Sequence, residues 1–82
     1  MYRYEEHRKE VFTPEGVEML FKITENVKGR EVFTINEAIK GLSGDTWTML
    51  ACVDYLVETN KFDYVYVSGP KQQHVLRWVR HD

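Results

Sequence analysis

The stretch of residues 34–60 constrains the fold most, because it contains start and stop residues for two consecutive helices. Thr34 followed by Glu37 has the pattern of a capping box, in which each side chain binds the other residue's backbone N–H. Gly41 is suited to end the first helix, since glycine adopts the left-handed conformation without a Cβ penalty. Asn60, which also tolerates positive φ, is suited to end the second helix. The stretch therefore predicts two helices joined by a tight turn.

The two helices are predicted at about 35–41 and 45–59, and residues 43–46 supply the turn and the cap of the second. Apolar residues recur in the longer helix at helical spacing, and we expect this set to face the core: Met49, Leu50, Val53, Leu56 and Val57. The other side of that helix is then predicted to be exposed, with the residues Trp47, Thr48, Ala51, Asp54, Tyr55 and Glu58.

An earlier helix is predicted to begin at Thr13-Pro14, a capping residue followed by proline at the first helical position. Gly29 is suited to end it. Residues spaced three and four apart form one stripe that we expect to be buried, namely Val17, Leu20, Phe21, Thr24 and Val27. Met19 and Ile23 are predicted to lie beside that stripe.

The remaining segments favour extended structure. Residues 31–34 form a short β-prone run, and two longer runs at 62–67 and 73–80 flank turn-forming residues, which predicts a hairpin. Residues 1–12 alternate weakly and are interpreted as a mobile arm or a docked edge strand, ahead of one domain over 13–82. In the last strand, the residues that we expect to cover the helices are Leu76 and Trp78.

This order of helix, short strand, helix, turn, helix and hairpin resembles the winged helix-turn-helix superfamily over residues 14–80. The residues that carry the resemblance are Thr34-Ile35-Asn36-Glu37-Ala38, Gly41-Leu42-Ser43, Leu56 and Phe62. It implies an α+β fold of three helices with a small antiparallel sheet and a C-terminal hairpin wing. It also implies a DNA-binding, transcription-regulating role, in which the third helix enters the major groove and the wing contacts the backbone. The chain departs from this pattern, because its third helix is longer than usual and its exposed side has no basic residue.

Composition and charge limit the classes of function. The 82 residues suffice for one small domain, and 43% are hydrophobic, which is typical of a globular chain. The net charge of −2 is not the basic character expected of a strong nucleic-acid binder. No apolar run approaches the roughly 20 residues that span a membrane, and no signal peptide is expected at the N-terminus. The single cysteine, Cys52, excludes an internal disulfide and favours a cytoplasmic location.

The sequence contains few residues that would support catalysis or metal binding. The chain has only Cys52 and three histidines, His7, His74 and His81, and none of their spacings matches a metal-ligand motif. No glycine-rich phosphate loop is present, and Ser43 is better explained as a helix cap than as a nucleophile. We therefore predict a non-enzymatic binding module without a metal, a cofactor or a small-molecule substrate.

Two binding hypotheses remain. The first is DNA binding led by the wing and the N-terminal arm, through Lys71, Gln72, Gln73, His74, Arg77, Arg3, Arg8 and Lys9. Its alternative is that the wing charges are merely solvated. The second is a protein-interaction module or obligate dimer, using the acidic and aromatic side of the third helix with the residues Trp47, Ala51, Tyr55, Glu58, Met19 and Ile23. Its alternatives are that Trp47 folds back under the second helix or the N-terminal arm, and that Met19 and Ile23 lie at a core margin.

Overall fold

The structure is a computed structural model that describes residues 2–65 and 75–79. Within these ranges the helices pack on a three-stranded antiparallel sheet with the strand order β1–β3–β2, so the domain is α+β. The elements in chain order are α1 (Tyr4–His7), a 3₁₀ helix (Arg8–Phe12), α2 (Pro14–Asn26), β1 (Val32–Thr34), α3 (Ile35–Ala38), α4 (Thr46–Glu58), β2 (Phe62–Val65) and β3 (Val75–Trp78).

The predicted start residues of the two central helices are confirmed, and so is Asn60 as the residue that ends the second. Thr34 and Glu37 form the reciprocal capping box at the start of α3. The Asp45 side chain accepts a hydrogen bond from the backbone N–H two residues later and caps α4. Gly41 and Asn60 have φ values of 81° and 62°, the left-handed conformation expected after a helix end. The helix α3 ends at Ala38, and residues 39–41, which were predicted to be helical, form a turn.

An aromatic cluster joins the sheet to the helices. The rings of Phe33 and Phe62 meet edge to face at 4.9 Å between centroids, and Trp78 meets Phe62 at 4.8 Å. The indole Nε1–H of Trp78 donates to the backbone carbonyl of Val27 at 3.0 Å, which satisfies its polar atom. Leu76 is fully buried and Trp78 packs on the core, so the prediction for the last strand is confirmed.

The predicted core face of α2 is wrong for Val17 and Phe21. Val17 is 54% exposed and Phe21 is 67% exposed, whereas Met19 and Ile23 are buried. Two apolar rows run along this helix, and spacing alone does not show which of them faces the core. The buried row contains Gly16, whose missing side chain lets the chain before α2 approach the helix closely.

The prediction for residues 1–12 is also wrong with respect to an edge strand, because residues 4–12 are helical and dock on α2 and α4. Val11 is fully buried and anchors this segment in the core. Its docking also explains why Thr48, which was expected to be exposed and donates to Glu10, is buried on α4. Ala51, also expected to be exposed, is fully buried.

Candidate functional site

Residues 2–12, called the N-terminal segment below, lie along the outer side of α4 and contact it from Trp47 to Glu58. The hydroxyl of Tyr2 donates to Asp54 Oδ2 at 2.6 Å, and the hydroxyl of Tyr64 on β2 donates to Asp54 Oδ1 at 2.7 Å. Burial, together with the bond to this carboxylate, raises the pKa of both tyrosines above the usual value. Both oxygens of Asp54 are thus bound by groups of the same chain.

The second carboxylate on this side, Glu58, is bound through one oxygen only, Oε2. It accepts hydrogen bonds from the hydroxyl of Tyr4 and from Arg8 Nε, the latter at 2.9 Å. These two bonds lower the pKa of Glu58, whereas burial and the carboxylate raise that of Tyr4 to about 12. The Arg8 guanidinium also lies 5.3 Å from the ring centroid of Phe12 and 5.9 Å from that of Tyr55.

The start of α4 contacts the N-terminal segment through a third set of groups. The ring of His7 meets Trp47 edge-on at 4.9 Å and stacks on Tyr2 at 5.7 Å. His7 Nδ1 lies 3.1 Å from Glu10 Oε1, and the Thr48 hydroxyl donates to Glu10 Oε2 at 2.8 Å. These bonds lower the pKa of Glu10, with Thr48 as the largest cause. Trp47 therefore packs against the N-terminal segment and is still 43% exposed.

The set of residues predicted for a protein interface is partly wrong. Ala51, Met19 and Ile23 belong to the hydrophobic core and cannot contact a partner. Tyr55 and Glu58 contact the N-terminal segment, as does Trp47. The outer side of α4 is thus largely engaged within the chain.

The described part of the structure does not bring the residues predicted for DNA contacts together. Arg8 is paired with Glu58, and Arg77 Nη2 on β3 lies 3.2 Å from Asp63 Oδ2. Arg3 and Lys9 are exposed on the N-terminal segment. The other four predicted contacts lie outside the described residues: Lys71, Gln72, Gln73 and His74.

The helix α2 presents an exposed apolar surface that was not predicted from the sequence. Val17 and Phe21 lie one turn apart, and Phe21 is the most exposed large apolar side chain in the described part of the protein. Beside them, Lys22 Nζ and Glu18 Oε1 form an ion pair at 3.1 Å. These four residues are called the outer face of α2 below. Two apolar rows on one helix were the sequence feature that could have revealed it, because a helix in a small domain rarely buries both.

The part of the chain that the structure describes offers few residues for a metal site or a reactive thiol. Residues 2–65 and 75–79 contain no group of three possible metal ligands and no helix that is long and apolar enough to cross a membrane. Cys52 is fully buried, its Sγ donates to the Gly16 carbonyl at 3.5 Å, and burial raises its pKa to about 11, so the reactive thiolate is disfavoured. Comparison with protein-family models, with curated proteins and with solved structures gave no match.

Proposed function

We propose that the domain is a winged helix-turn-helix. Three features support this assignment: the order α2, β1, α3, α4 and two hairpin strands, the pairing of β3 with both β1 and β2, and the positive φ of Gly41 in the turn. In this fold α4 (Thr46–Glu58) would occupy the position of the recognition helix.

We further propose that the domain is a non-enzymatic, cytoplasmic module that binds protein through the outer face of α2. The observation that carries the proposal is the exposure of Val17 and Phe21 on adjacent turns of one helix. Burying a fully exposed phenylalanine side chain contributes about 1.5–3 kcal/mol. Phe21 is 67% exposed, so burying it in an interface would contribute about two thirds of that free energy. Exposed apolar side chains on adjacent turns are typical of interaction sites.

The charge on α4 supports protein rather than DNA as the partner. Residues Thr46–Glu58 contain no lysine or arginine, which are the side chains that most often bind guanine and phosphate. Asp54 and Glu58 are carboxylates on the side that a recognition helix would present. Release of the N-terminal segment would expose both to phosphates and therefore increase the repulsion.

Photo-crosslinking in cells that naturally contain the protein tests this function. A photoreactive phenylalanine analogue replaces Phe21 in one variant, Trp47 in a second and Lys40, exposed elsewhere, in a third. We expect a discrete protein adduct from position 21 and none from position 40. The absence of an adduct at position 21, or an adduct at position 47 alone, would overturn the proposal.

DNA binding through the wing in a transcription-regulating role is the second candidate, and the strand order of the sheet favours it. It is tested by titrating duplex DNA at about 50 mM salt and then at rising salt, because each phosphate contact steepens the loss of affinity. Wing-led binding predicts that Lys71→Ala combined with Arg77→Ala flattens that dependence. No binding at low salt removes this candidate.

A further inference from the structure

We propose that the partner of the outer face of α2 is the same face of a second copy of the chain, packed antiparallel about a two-fold axis. This inference rests on the proposed function and adds the identity of the partner. It concerns a surface different from the aromatic and acidic side of α4, which the N-terminal segment already contacts.

The positions of the four residues make the face self-complementary. The apolar pair Val17 and Phe21 has its midpoint at residue 19, and the charged pair Glu18 and Lys22 has its midpoint at residue 20. These midpoints differ by about 1.5 Å along the helix axis. A single two-fold axis there sets Val17 opposite Phe21 of the second copy, and Glu18 opposite Lys22 of the second copy. Each contact then occurs twice, as a symmetric dimer requires.

The ion pair between Glu18 and Lys22 within one copy does not prevent the same side chains from pairing between two copies. Lys22 and Glu18 remain 51% and 66% exposed in their pair, so solvent screens the attraction and the side chains can exchange partners at low cost. The exception to the complementarity is Glu25, which by helical spacing lies toward Glu15 of the second copy. A single pair of helices also buries a small area, and we therefore expect a weak dimer with a Kd on the order of 10–100 µM.

Charge exchange between two variants tests the antiparallel arrangement. The variant Glu18→Lys carries cations at both charged positions, and Lys22→Glu carries carboxylates at both. Each variant alone should dimerise at least about tenfold more weakly, because two attractive contacts become repulsive. An equimolar mixture should form a heterodimer, and the double variant with both exchanges should dimerise like the wild type. Sedimentation velocity or light scattering over a concentration series measures all four samples.

Two further variants separate the apolar contact from general effects. Phe21→Ser should abolish dimerisation while circular dichroism shows an intact fold, because this ring lies mostly outside the core. Lys9→Glu changes an exposed charge on the N-terminal segment and should leave the Kd unchanged. A mixture of the single variants that does not associate more strongly than either alone would overturn the inference.

The outcomes also separate this inference from the proposed function. A wild-type chain that remains monomeric up to about 1 mM overturns the dimer, since that lies far above the Kd expected for even a small specific interface. If photo-crosslinking at position 21 then yields an adduct with a different protein, the binding function of α2 stands and the identity of its partner changes. If no adduct forms, both proposals fail.

Discussion

Replacement of Gly16 by alanine probes how closely the N-terminal segment packs on α2. A Cβ at this position would lie 2.7 Å from the Val11 carbonyl oxygen and closer still to that of Glu10. Both neighbours are backbone atoms, so no rotamer change can relieve the overlap. The substitution must therefore displace the segment or strain the start of α2.

The expected magnitude follows from what the displacement exposes. Val11 is fully buried, and exposing a valine side chain costs about 1.5–3 kcal/mol. The higher helix propensity of alanine offsets up to about 1 kcal/mol of this loss of stability. We expect Gly16→Ala to lower the free energy of unfolding by about 1–2 kcal/mol or more, which corresponds to a Tm decrease of at least about 4 °C in a domain of this size.

Urea unfolding monitored by tryptophan fluorescence measures this change. Glu25→Ala, an exposed position on the same helix, is the matched control and should change the free energy by no more than about 0.5 kcal/mol. Val11→Ala removes the anchor without creating an overlap and should also destabilise the fold. A Gly16→Ala protein as stable as the wild type, or more stable, would refute the close packing of the segment on α2.

Three further predictions concern titratable groups. The pKa values of Glu10 and Glu58 are lowered in the fold, so their contribution to stability is present above pH 4.5 and is lost as pH falls through the lowered values. Glu58→Gln should therefore reduce the loss of unfolding free energy that the wild type shows on acidification. An unchanged loss would contradict the bonds from Tyr4 and Arg8 to Glu58. The raised pKa values of Tyr2, Tyr4 and Tyr64 mean that their contribution to stability is complete below pH 10.0 and is lost as pH rises toward the folded-state values; phenolate absorbance should show these three groups titrating late, and Tyr64→Phe should remove one of them. Native Cys52 should react with an aromatic disulfide reagent only after unfolding, and rapid labelling of the folded protein would contradict its burial.

The sequence predicted helix ends better than helix faces, because an end depends on residues close in the chain. Thr34 with Glu37 satisfies backbone N–H groups within one turn, and Gly41 permits a local positive φ, so both can be recognised from neighbouring residues alone. The β-prone runs and the antiparallel pairing of β2 with β3 followed from similarly local patterns. The α+β class was therefore accessible from the sequence.

The buried faces depend on contacts between distant residues and could not be predicted in this way. Thr48 is buried where it contacts a segment that precedes it by more than 35 residues, and the only fully buried side chain of that segment is Val11. On α2, the choice between the row containing Val17 and the row containing Met19 was made by the partners of the helix, since both rows have helical spacing. The candidate site moved from α4 to α2 for this reason.

The N-terminal segment covers the side of α4 that carries Asp54 and Glu58, whereas the outer face of α2 remains exposed. Nuclear Overhauser contacts between aromatic side chains in solution test this arrangement most directly. We expect cross-peaks between the ring protons of His7 and Trp47, whose centroids lie 4.9 Å apart, and between those of Tyr2 and His7. Random-coil shifts for residues 2–7, without any cross-peak to Trp47, would show that the segment does not cover α4.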